Sequence, residues 1–168
     1  MKVASGSSRF PLKGYKEYHS QGLIKSLPQM FGVQAAGPAP IVFGHPVEKP
    51  ETIATAIRIG NPASWPSAVA ARDESGGQIG AVMDEEILYA YKLIASMEGI
   101  FCETASAASL AGVIKKYREG VSDKGKTIVC ILTGYDLKDP DTGFNVSGEA
   151  VKVKSNFADV RKMIEKIL

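Results

Sequence analysis

Between Lys126 and Leu132 the chain reads Lys-Thr-Ile-Val-Cys-Ile-Leu, ending in five apolar residues in succession. An unbroken run this short, without alternation, suits a strand covered on both faces, as in a parallel sheet with helices above and below. Met30–Ala36, closed by Gly37-Pro38, and Ile79–Val82 read as two further strands. Helical periodicity lies between and around them. Tyr15, Tyr18 and Leu23 predict a short helix ending near Gly22, and Glu51–Ile59 a helix stopped by Gly60-Asn61-Pro62. Trp65–Asp73 predicts a second helix there, ended at Gly76-Gly77. Asp84 is expected to cap a helix that buries Ile87, Ala90, Tyr91, Ile94 and Ala95 and stops at Gly99. Ser106–Tyr117 is a helix rich in small residues, and Phe157–Ile167 a final amphipathic one. The segment 39–46 is too rich in proline for a central strand.

The alternation predicts an α/β fold, a parallel sheet with helices on both faces. No linker divides residues 1–168, so they read as one domain. Three strands are few for such a sheet, which makes that domain an incomplete one. At 45% apolar and 23% charged residues the chain can bury a core, which excludes a disordered tail. The net charge of +2 is scattered rather than gathered on one face, against a nucleic-acid partner. No apolar run is long enough to cross a bilayer, and residues 1–9 have no signal core, so a cytoplasmic location is expected. Cys102 and Cys130 sit in apolar contexts and read as buried thiols. His19 and His45 have no metal-ligand spacing, and no metal site is expected.

Three stretches offer chemistry. Ligands of open α/β sheets bind beyond the carboxyl ends of strands, which singles out Thr133-Gly134-Tyr135-Asp136 after Leu132. A hydroxyl followed by glycine lets side chain and backbone both approach a planar ligand, although Thr-Gly after a strand is more often a turn. Glu103 and the hydroxyls after it open the small-residue helix, whose N-terminus favours anions, with an ordinary cap by Thr104 or Ser106 as the alternative. Ser5-Gly6-Ser7-Ser8 suits a phosphate-holding nest of backbone amides or, equally, a ragged terminus.

In order along the chain stand Lys13–His19, Gly32–Gly37, Gly44–Glu48, Thr52–Trp65 (with Ala-Ile-Arg-Ile-Gly-Asn-Pro), Glu103–Ser109 and Leu132–Pro140. On these segments the chain resembles the C-terminal half to two-thirds of the threonine synthase family. That family belongs to fold type II of the pyridoxal 5′-phosphate enzymes, the tryptophan-synthase-beta-like group. The resemblance implies a portion of a large catalytic domain with pyridoxal phosphate as cofactor. The reaction implied is O-phosphohomoserine plus water to threonine and inorganic phosphate. It implies Thr133 as partner of the pyridine nitrogen, Gly134 beside it and Glu103 near the ring edge. Ala56 falls in a segment lining the cofactor face, and Gly6 and Ser7 in the loop around the cofactor phosphate.

The sequence also departs from the family. No Ser-Phe-Lys-Asp-Arg-Gly-type motif, whose lysine anchors the cofactor, is present; the Lys-Asp pair Lys138-Asp139 belongs to the C-terminal signature. The loop at Gly6 has fewer glycines than the family's and no asparagine, Thr104 stands where proline is usual, and Tyr135-Asp136 replaces His-Gly or Asn-Gly. The expectation is a chain inactive alone, self-associating or pairing with an N-terminal portion that carries the lysine. A non-catalytic amino-acid-binding or regulatory domain is the alternative. A dehydratase or cysteine synthase relative is disfavoured by Arg58-Ile59-Gly60-Asn61-Pro62.

Overall fold

A computed structural model describes residues 2–5, 9–121, 124–135, 137, 140–146 and 151–167. Four parallel strands form one sheet: β1 (Lys2–Ser5), β2 (Gln29–Ala35), β3 (Gln78–Val82) and β4 (Ile128–Cys130), in the order β3-β2-β1-β4. The helices are α1 (Arg9–Ser20), α2 (Pro40–Phe43), α3 (Trp65–Ser75), α4 (Asp84–Glu98), α5 (Thr104–Arg118), α6 (Pro140–Val146) and α7 (Phe157–Ile167).

The alternation along β2 sorts the layers. Met30 points to one face, where it packs with Leu12 of α1 and Ala71 of α3, joined by Val129 of β4. Val33 and Ala35 point to the other, against Ala107, Ala108 and Ala111 of α5 and Ile87, Ala90, Tyr91 and Ile94 of α4. Helices therefore cover both faces, as the sequence predicts. The small residues of α5 let it lie close to the sheet: a Cβ on Gly112 would stand 2.6 Å from a methyl of Val33.

From β1 the chain moves outward through β2 to β3, then crosses the opposite face on α4 and α5 and returns to β4 on the other side of β1. The direction of winding reverses between β1 and β4. In open α/β sheets, a ligand crevice forms outside the carboxyl ends of the strands at such a switch point.

Several expectations need correction. The strand at Lys126–Leu132 narrows to Ile128–Cys130, and β1 adds a strand that the pattern did not reveal. Glu51–Ile59 is not a helix; it holds only a 3₁₀ turn, Thr55–Ile57. Its backbone is captured by side chains instead. The Asp84 carboxylate accepts hydrogen bonds from the Thr52 hydroxyl and from the Ile53 N–H (3.0 Å), and the Thr52 oxygen accepts the Ala54 N–H (3.2 Å). Such local bonds compete with the helical ladder. Asp84 is consequently the first helical residue of α4 rather than its cap, and Glu86 accepts the Met83 N–H there (2.8 Å).

The same loop is closed by two near contacts. A Cβ on Gly37 would overlap the carbonyl oxygen of Glu51, and one on Gly60 that of Val47. The Val47 N–H donates to the Gly60 carbonyl at 2.9 Å.

Candidate functional site

β4 delivers residues 131–135 to the carboxyl end of the sheet, next to the end of β1, and there the chain meets the start of α5. Both backbone groups of Gly134 are held by that helix. Its N–H donates to the Ser106 hydroxyl at 2.9 Å, and its carbonyl accepts the Glu103 N–H at 3.1 Å. An antiparallel bridge between Cys102 and Tyr135 continues the lacing. A Cβ at 134 would overlap the carboxyl group of Glu103, so a larger residue there would have to displace that side chain. Glu103 itself is buried at 7% exposure, so its carboxylate lies over the strand tip rather than in solvent.

Two hydroxyls lie together here. Ser106 is 2% exposed, and its oxygen lies 3.4 Å from that of Thr133, where either can donate. A hydroxyl has one proton and two acceptor positions, so Ser106 can accept the Gly134 N–H and still serve Thr133 in either sense. Thr133 is exposed at the strand tip. A neutral hydroxyl at the switch point is able to donate to an unprotonated ring nitrogen.

Beside it the rings of Phe101 and Tyr135 meet edge to face, 6.0 Å apart, and Phe101 leans on Tyr91. Cys130 is the last residue of β4. Burial pushes its thiol up, while a hydrogen bond with Ser109 pulls the other way. Cys102 is buried and Cys130 half-buried, and neither is in a disulfide.

Of the residues expected at the site, the structure brings Thr133, Gly134 and Glu103 together. Ala56 is exposed on the 3₁₀ turn, which packs on α5, and the hydrogen-bond network around Gly134 does not include it. Gly6 and Ser7, and likewise Asp136, lie outside the described residues. Sequence reasoning offered Ser106 only as an alternative helix cap. In the fold it reaches across to a residue 28 positions later, and Glu103 occupies the cap position without a side-chain capping bond. A hydroxyl in a first turn has an obvious local use, and that hid the tertiary one. His19 and His45 are exposed, and the described residues hold no cluster of His, Cys, Asp or Glu able to bind a metal ion. Among the described residues no helix is long and apolar enough to cross a membrane.

The sequence profile of the pyridoxal-phosphate dependent enzyme family matches residues 12–134. The chain belongs to that family. Among curated proteins it is 61% identical over 130 residues to a threonine synthase of Mycobacterium tuberculosis, covering 77% of this chain and 36% of that protein. A threonine synthase of Bacillus sp. is 50% identical over 155 residues, covering 92% and 43%, and that of Methanocaldococcus jannaschii 46% over 163 residues, covering 92% and 40%. The chain thus spans about two-fifths of the curated relatives it matches, less than the half to two-thirds expected, and agrees with a C-terminal portion. Its fold is similar to that of a threonine deaminase (T.th.), with a TM-score of 0.58 at 19% identity over 80% of this chain and 49% of the other. A serine racemase from Dictyostelium discoideum gives 0.55 at 20% identity, over 80% and 43%. These likenesses establish the fold, the mixed α/β architecture with a parallel sheet of fold type II.

Proposed function

We propose that this chain forms the C-terminal portion of a threonine synthase, supplying one wall of a pyridoxal phosphate site that converts O-phosphohomoserine and water to threonine and phosphate. The observation that carries the reading is the exposed Thr133 hydroxyl, backed by buried Ser106 at the switch point, in a chain up to 61% identical to threonine synthases.

In this reading Thr133 donates to the pyridine nitrogen, Gly134 keeps the strand tip close to the ring, and Glu103 lies at the ring edge. The turn carrying Ala56 borders the entrance, and Gly6 and Ser7 belong to the phosphate loop. The cofactor supplies an electron sink for proton removal next to the amino group. A hydroxyl partner, unlike a carboxylate, leaves the nitrogen uncharged and the sink moderate, so proton steering falls to groups around the substrate. The anchoring lysine comes from polypeptide corresponding to the part of the relatives that this chain does not match. Alone, the chain binds no cofactor covalently and does not turn over, since that chemistry needs a correctly placed amine. The setting is cytoplasmic, without nucleic acid or membrane.

The test is to add pyridoxal phosphate to the purified chain and to the chain co-expressed with the remaining portion of the Bacillus sp. threonine synthase. Phosphate release from O-phosphohomoserine is expected from the pair alone, and Thr133→Val should weaken cofactor retention there. A borohydride-reducible cofactor adduct on one lysine of the chain alone would overturn the division of labour. Tight threonine binding without cofactor would overturn the catalytic reading in favour of a sensor.

A further inference from the structure

The strands of this sheet are parallel, so their amino ends gather at the pole opposite Thr133. Ile128, which opens β4, stands five residues before Thr133, or roughly 16 Å along a strand at about 3.3 Å per residue. At that amino pole, between the starts of β2, β3 and β4 and the last turns of α5, lies a cavity of about 790 Å³. Its walls are apolar, with Met30 and Phe31 from β2, Val113 and Ile114 from α5, and Ile128. Met30 packs with Leu12 and Ala71 on one face of the sheet and Phe31 against the core on the other, so the cavity runs round the amino edge. Tyr117, also in the lining, is 77% exposed. Close-packed interiors seldom keep apolar space of this size. Volumes of about 300–1,000 Å³ with largely apolar walls are those of small-molecule sites.

The polar groups select the ligand. The charged residues of the lining are Lys116 and Lys124, both cations, and no carboxylate joins them among the described residues. The helix-end carbonyls that would oppose an anion are occupied. Those of Lys115, Lys116 and Tyr117 accept the N–H groups of Glu119, Val121 and Gly120, and that of Gly76 accepts the Gln29 amide at 3.2 Å. Lys116 pairs with Glu119 at 2.9 Å, but the pair is largely exposed and the ammonium keeps two further protons to donate. An apolar amine would meet two like charges here, and a sugar would set its hydroxyls against hydrocarbon.

We infer that this cavity is a binding site for an apolar monocarboxylate, its hydrocarbon body against Met30, Phe31 and Ile114 and its carboxylate beside Lys116 and Lys124. The site is separate from Thr133 and independent of the proposed function.

The test is equilibrium dialysis of the full chain against radiolabelled decanoate, kept below its micelle-forming concentration. One saturable site per chain is expected, with decanol binding about 3- to 10-fold more weakly because it lacks the charge. Lys116→Gln/Lys124→Gln, at two side chains outside the core, should abolish that preference and leave decanol binding unchanged. Ile114→Trp, which fills the cavity, should weaken acid and alcohol alike by about 10-fold or more, with circular dichroism to check its fold. Hydrogen exchange locates the ligand without any variant: residues 29–31 and 113–121 should exchange more slowly with decanoate, and residues 133–135 should not change.

Absence of saturable binding, equal affinity for acid and alcohol, a preference that survives the lysine substitutions, or protection centred on Thr133 would overturn the inference. So would several decanoates per chain with no effect of Ile114→Trp, the mark of adsorption to general apolar surface. Decanoate binding should also persist when the remaining portion of the Bacillus sp. threonine synthase is added. Its loss there would make polypeptide the occupant and overturn the inference as well.

Discussion

Ser106→Ala separates a built site from a fortuitous turn. The serine is 2% exposed and accepts the Gly134 N–H at 2.9 Å, while Gly134 itself is half-buried. Removing the acceptor leaves that N–H without its partner. A net hydrogen bond is worth about 0.5–1.5 kcal/mol, and a buried unsatisfied group costs about 1–3 kcal/mol. Water reaches a half-buried amide in part, so the loss falls between these, at about 1–2 kcal/mol. The gain in helix propensity from serine to alanine returns a few tenths of a kcal/mol at most. For a chain of this size the change lowers Tm by about 2–8 °C.

Thr133→Val behaves differently. Its hydroxyl is exposed and its contact with Ser106 is long, at 3.4 Å, so folding stability should change by less than about 0.5 kcal/mol. Urea titrations and thermal melts of both variants measure the contrast. A Ser106→Ala protein as stable as wild type, or a Thr133→Val protein that loses more than it, would refute the clamp on Gly134.

Three further outcomes are expected. Ile94→Ala, on the face of α4 turned to α5, should cost about 2–5 kcal/mol, read by denaturant midpoint; less than about 0.5 kcal/mol would put that side chain outside the core. Gly37→Ala forces a methyl onto the Glu51 carbonyl oxygen, a backbone atom that cannot swing aside, and should cost about 2–3 kcal/mol, whereas Gly14→Ala, within α1 and with open space around it, should stabilise by about 0.5–1 kcal/mol. Burial raises the Cys130 thiol, so the folded chain keeps a proton that the unfolded chain gives up as pH climbs past about 8.5. The stability tied to that proton is complete below this range and is lost as pH rises toward the folded-state value. The stability difference between wild type and Cys130→Ala should therefore shift against the wild type at alkaline pH, and a difference constant with pH would contradict it.

The layer architecture was legible because its signals are periodic. Trp65–Ser75, Asp84–Glu98 and Thr104–Arg118 are bounded by glycines or charged residues, with a regular apolar face on α4 and small residues on α5, and they form within a few residues of expectation. β1 was hidden because Lys-Val-Ala-Ser is too short for alternation to register, and only its pairing on both sides makes it a strand. The segment around Thr52 misled because its apolar spacing is helical while its hydrogen-bond partner, Asp84, lies 32 residues away. Thr133, Gly134 and Glu103 were picked out by position and resemblance. Ser106 escaped as a site residue because its role depends on a close approach that no local pattern encodes.

The closure of the loop between Gly37 and Gly60 also bears on how this protein can diverge. Each carbonyl seated against a glycine, and the carboxylate at 84 gripping two consecutive residues, fixes how many residues separate those points. One residue added or deleted between Val47 and Gly60 would put these groups out of step with one another. Long surface loops usually vary freely in length. This one should admit new side chains at positions such as Ala56 while its residue count stays constant, so that variation in this loop comes by exchange rather than by growth.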